Sequence, residues 1–129
     1  MILFVLLALG HYGYAQELTS ETPEIDQLIG EWDVDLFYAP GEPPSKTRLK
    51  IWANTNGILS GSFYGTQFNI ARAAVHEGEV MLTFVTQDNT GDYLSSAHLT
   101  SELQLKGQTL SVGRSFLMPW RARKIQGTE

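Results

Sequence analysis

Two of the three histidines, a pair of aspartates and one serine in a glycine frame are the residues whose types and spacing could do chemistry. His76 and His98 lie 22 residues apart, a separation that fits neither HExxH nor HxxxH and sets no two imidazoles on one ion. Each reads as a surface or satisfied core side chain, so no metal and no cofactor are expected. Asp33 and Asp35 stand two residues apart, about 6.5 to 7 Å along a strand, within the range that paired glycosidase carboxyls occupy. Their alternation with Trp32, Val34 and Leu36 puts them on the wet face, which makes catalysis the weaker reading. Ser60, in Gly57-Ile58-Leu59-Ser60-Gly61, is one position off a nucleophile elbow and sits between strands instead of between strand and helix. No glycine-rich loop opens a helix, so a phosphate cradle has no support. No residue is assigned a catalytic role.

Composition narrows the classes further. The chain has 129 residues, a net charge of −5 and no cysteine. One domain is expected at this length. The acidic balance argues against nucleic acid, whose phosphates need clustered Lys and Arg. Without cysteine there are no disulfides, no Cys-ligated zinc and no thiol catalysis. Residues Ile2 to Leu9 are all apolar and lead into Gly13 and Ala15, the small residues of a cleavage site. Residues 1–15 therefore read as a signal peptide, too short for a membrane span. An exported chain without cysteine suits a bacterial periplasm or exterior.

The elements that position these residues are mostly strands. After a polar lead-in over residues 16–21, Thr22 caps a short helix with Pro23 at its first position and Gly30 beyond its end,. From Trp32 the apolar period becomes two. Strand-like runs follow at 46–54, 58–65, 67–76, 79–87, 92–100, 102–106 with 109–116, and 119–125, separated by turn residues such as Asn56-Gly57, Glu77-Gly78, Asn89-Thr90-Gly91 and Lys106-Gly107-Gln108,. Eight strands at about 12 residues each, turn included, mean a sandwich or a barrel.

Charge favours the barrel. Residues 16–45 hold eight acids and no base, while 114–125 hold Arg114, Arg121, Arg123 and Lys124 and no acid. In a closed antiparallel meander the first and last strands are neighbours, and Asp33 and Asp35 face Arg121 and Arg123 across the seam. The expectation is an all-β, eight-stranded up-and-down barrel over residues 22–126, preceded by one short helix.

Gly30-Glu31-Trp32, opening the first strand after a short helix, resembles the Gly-X-Trp signature of lipocalins and related calycin barrels. Arg121 or Arg123 matches the basic residue that this family sets against the tryptophan at the closed end. Gly91-Asp92-Tyr93 resembles the family's Thr-Asp-Tyr loop with Gly at the Thr position. The chain departs from the family in its short length and in lacking a long C-terminal helix; in size it is closer to avidin-like and small exported lipocalin-like barrels. The resemblance implies a ligand-binding fold with a shallow cup.

On the in-phase faces fall Trp32, Val34, Leu36, Leu49, Ile51, Leu59, Phe63, Val80, Leu82, Phe84, Leu110, Val112 and Trp120, the expected interior. Arg72 and Arg114 share phases with Phe68 and Ile70, and with Phe116. An inward guanidinium there needs a carboxylate, a wide mouth or an anionic ligand. The opposite phase for 67–76 turns Asn69, Ala71, Ala73 and Val75 inward instead. The candidate ligand set is Tyr38, Leu49, Phe63, Arg72, Phe84, Tyr93 and Arg114. Trp52, outward between bases, is either a scattered aromatic or an anchor for a homodimer or protein partner. The first functional reading is an exported, non-catalytic binder of a small hydrophobic or amphipathic ligand. The alternatives are a filled barrel serving as an accessory module of an exported bacterial system, and a small barrel enzyme.

Overall fold

The computed structural model describes residues 21–127; the expected signal peptide at 1–15 and the lead-in to residue 20 lie outside them. A short helix, α1 (Glu21–Asp26), precedes nine strands: β1 (Gly30–Leu36), β2 (Ser45–Thr55), β3 (Ile58–Phe63), β4 (Thr66–Gln67), β5 (Ile70–His76), β6 (Glu79–Asp88), β7 (Gly91–Ser101), β8 (Gln104–Ser111) and β9 (Phe116–Lys124). All pairings are antiparallel, and β1 is bonded to β2 on one edge and to β9 on the other. Because β2 also pairs with β3, the sheet closes on itself. The result is a closed eight-stranded antiparallel barrel, with the two-residue β4 as a spur beside β3.

The turns do what their residues dictate. Asn56-Gly57, Tyr64-Gly65 and Glu77-Gly78 each place two consecutive residues at positive φ, the primed geometry that matches strand twist in a two-residue hairpin. The sequence run 67–76 is broken at Phe68 and Asn69, where β4 ends and β5 begins. Along this run β3 meets β5 at a single register pair, Ile58 with Arg72. The carbonyls of Gly61 and Gly57 add bonds from the Phe68 and Ala73 amides. This is the thinnest seam of the wall.

The seam between first and last strands has the expected register, Asp33 opposite Arg123 and Asp35 opposite Arg121. The ion pairs form on the other side. Lys46 of β2 lies 2.6 Å from Asp35 and 3.7 Å from Asp33, while Arg121 stacks over the Phe37 ring.

Trp32, Val34, Leu36, Leu49, Ile51, Leu59, Phe63, Val80, Leu82, Phe84 and Trp120 are buried in one core as expected. Leu110 and Val112 are not; they face solvent at 39% and 52% exposure. The reason is Gly107. Read as a turn, it lies instead inside a continuous β8, so the inward phase runs Leu105, Gly107, Thr109, Ser111. A Cβ at Gly107 would stand 2.6 Å from the Trp120 ring and 2.7 Å from the Ser96 carbonyl; only glycine lets the indole lie flat against the wall. Arg72 likewise does not face inward. The small residues Ala71 and Ala73 turn toward the core, and Arg72 is exposed on the outside.

At the closed end Trp32 donates from Nε1 to the Leu28 carbonyl at 3.0 Å. The basic residue against its ring is neither Arg121 nor Arg123. It is Lys124, Nζ 5.6 Å from the ring centroid, which donates to the Gln27 carbonyl at 2.8 Å. Burial pushes the Lys124 pKa down. Gly30, at φ +140°, leaves room for the lysine chain, since a Cβ there would meet Lys124 Cε at 2.7 Å.

Replacing Gly107 with alanine forces a methyl into the Trp120 ring and a carbonyl. We expect it to lower stability by about 1 to 3 kcal/mol, as overpacking of a filled core does, measured by urea unfolding followed through tryptophan fluorescence. An unchanged midpoint would contradict this packing.

Candidate functional site

The end of the barrel opposite α1 is ringed by four connections: the β1–β2 loop over residues 37–44, the Tyr64-Gly65 turn, the Asn89-Thr90 turn and the β8–β9 loop over 112–115. Between them opens a concavity walled by Leu36, Phe63, Phe116 and Met118, with Tyr38 and Tyr64 at its lip and Tyr93, Asp88 and Arg114 on one side. Its free space for water-sized molecules is about 40 Å³, enough for about three waters. Below it the barrel is full. Phe63, Phe68, Phe84 and Trp120 pack ring on ring, with centroids 4.7 to 6.4 Å apart.

The floor of the cup is polar. Thr86, Thr109 and Ser111 line it and are buried, with Ser95 buried beneath them. Thr109 Oγ1 lies 2.7 Å from Ser95 Oγ and accepts from Trp120 Nε1 at 2.9 Å. Ser111 Oγ accepts the Arg114 amide at 3.3 Å. A buried hydroxyl that has hydrogen-bonding capacity left over is a place for a polar group of a guest.

One network holds the wall. Asp88 accepts the Thr90 amide at 2.8 Å, the Thr90 hydroxyl at 2.6 Å and the Tyr93 hydroxyl at 2.9 Å. Arg114 donates from Nη2 to the Tyr93 oxygen at 3.0 Å. Its guanidinium carbon lies 5.1 Å from the Phe116 centroid and 5.9 Å from that of Tyr93, inside the range of a cation–π contact. The two loops also touch directly, because Gly113 packs so tightly on the Thr90 carbonyl that no Cβ fits. The bonds from the Thr90 hydroxyl, and then from its amide, hold the Asp88 carboxyl below its usual pKa. At the lip, partial burial and the neighbouring Tyr64 push the Tyr38 hydroxyl up.

Of the seven candidates, the structure brings together Tyr38, Phe63, Tyr93 and Arg114. Leu49 and Phe84 are core residues beneath, and Arg72 lies on the outer wall beside Trp52 and Ile70. Asp33 and Asp35 are on the outside of β1, tied to Lys46. Among the described residues no three His, Cys, Asp or Glu side chains gather to hold a metal. Sequence reasoning missed Thr86, Thr109, Ser111 and Phe116. Hydroxyl side chains carry no apolar signal, and only the alternation counted through Gly107 would have placed Thr109 and Ser111 inside.

The closed barrel and its single mouth are the likeness to lipocalins that the geometry carries. No family model matches the sequence, and no curated protein matches it.

The Asp88 carboxylate is harder to protonate when folded than when unfolded, so its bonds contribute stability above its ordinary pKa of 3.8 and lose it as pH falls through the lower folded value. The wild-type minus Asp88→Ala difference in stability should therefore be constant from neutral pH down to a little above 3.8 and shrink as pH falls further, through the lower folded value,. Urea titrations from pH 7 to pH 2 check this. A difference that grows on acidification would reverse the assignment.

Proposed function

We propose that the protein is an exported, lipocalin-like binder that seats one small, mostly apolar ligand at the mouth of the barrel, with an acidic group turned toward Arg114. The observation that carries this reading is the convergence of Arg114, Tyr93, Thr109 and Ser111 on an otherwise apolar concavity, the arrangement by which ligand sites fix orientation with a few polar groups. The ring-packed interior sets the size. A guest rests on the hydroxyl floor and is flanked by Tyr38 and Tyr64, with no long tail threaded down the axis. The apolar leader followed by small residues supports export, in keeping with the lack of cysteine,.

The filled interior also favours a second reading, a barrel that works through its outer surface as an accessory module. The two separate by experiment. Native mass spectrometry of the protein purified from its host, before and after organic extraction, should show a mass excess that disappears on extraction. Titration with a panel of small aromatic and aliphatic carboxylates should move the backbone amide resonances of residues 86–93 and 109–116. Replacing Arg114 with methionine should weaken carboxylate binding about tenfold or more, the worth of a charge-assisted hydrogen bond. A bare mass together with unmoved resonances would sink the carrier reading and leave the module.

A further inference from the structure

Around the outside of the barrel, one level below the mouth, five outward residues stand directly opposite one another on five successive strands: Ile70 with Val85, Val85 with Leu94, Leu94 with Leu110, and Leu110 with Leu117. At the usual strand spacing this aliphatic row is about 19 Å long. Ile70, Leu94, Leu110 and Leu117 are 39 to 61% exposed, and Val112, two residues along from Leu110, is 52% exposed. The next level down on β7, β8 and β9 is Ser96, Gln108 and Pro119, so the outer wall of these three strands is uncharged over two levels. At a net charge of −5 copies of the chain repel one another overall, and an uncharged wall is where close approach costs little.

We propose that the outer wall of β7, β8 and β9 is a self-association surface, and that its partner is a second copy of this chain running antiparallel to the first. The charges at the two ends of the wall choose that orientation. Asp92 lies at the mouth end of the wall, while Lys106, Arg121 and Arg123 outnumber Glu102 at the other. Arg114, the cation nearest Asp92, is turned onto Phe116 and Tyr93. A two-fold axis in the interface and perpendicular to the strands reverses one copy, so the acidic end of each wall meets the basic end of the other. With strands in parallel, Asp92 of one copy would face Asp92 of the other. The barrel is convex, so Ile70 and Val85 curve away from the contact, and the interface is small beside the roughly 800 Å² per partner of a standard complex. The dimer is accordingly weak.

Sedimentation equilibrium of the protein purified from its host, from about 10 µM to 1 mM, should show a monomer–dimer equilibrium in this range. Leu110→Asp should weaken it at least tenfold while circular dichroism and thermal unfolding stay those of the parent. Trp52→Ala, on the far side of the barrel, should leave it unchanged. Asp92→Lys should weaken the dimer, and adding Lys106→Asp to it should restore the parent's association. A monomer at every concentration would overturn the proposal, as would a dimer insensitive to Leu110→Asp, one dissolved by Trp52→Ala, or a double variant that stays weak. A protein that remains monomeric and sediments with phosphatidylcholine vesicles would assign the row to a lipid surface instead.

Discussion

The structure depends on β1 being hydrogen-bonded along both edges. A strand with one free edge would leave its amides and carbonyls as a template for another chain; here β2 takes one side and β9 the other. Closure forces every inward side chain into a single enclosed space, and strand alternation then decides what that space contains. It also delivers Lys124 to Trp32, because the two are register partners across the seam. The turn after α1 completes this end, with the Leu28 carbonyl taking the indole proton and the Gln27 carbonyl taking the ammonium. The base of the barrel is thus stoppered by groups that are 97 residues apart in the chain.

Inside, the filling changes character along the axis. The middle is aromatic, with Phe63, Phe68, Phe84 and Trp120 in contact, and such rings bury large apolar areas while leaving little void. Toward the mouth the lining turns to hydroxyls and then to the Asp88, Tyr93 and Arg114 network. The indole N–H of Trp120, bonded to Thr109, is the join between the two regions. The depth of the cup is therefore decided by how high the rings reach.

Much of this was legible in the sequence because strands with one apolar and one charged face declare their phase. Trp32, Val34 and Leu36 against Asp33 and Asp35, and Val80, Leu82 and Phe84 on β6, fall as read, as do closure and the seam register. What failed was β8, whose inner face is polar and whose outer face carries Leu110 and Val112, so its hydrophobic pattern points the wrong way. Gly107 added to the error by resembling a turn. The same inversion hid both the hydroxyl floor and the aliphatic row outside. Arg72 was ambiguous because alanines lie on one face of its strand and larger apolar residues on the other. The tryptophan's basic partner was a matter of parity: with Trp120 inward, Ala122 and Lys124 follow it, and Arg121 and Arg123 cannot.

The join between β3 and β5, held by one register pair and two backbone bonds, gives the barrel an anisotropy. Seven of its eight lateral contacts are long ladders that must break as units, while this one can part residue by residue. Opening costs least there, so the β5 amides bonded toward β3 are expected to exchange with solvent before those of the other ladders,. Such a slit leads straight to Phe68 and the ring cluster it stacks upon. The wall over the filled core is thus weakest along one line and firm everywhere else.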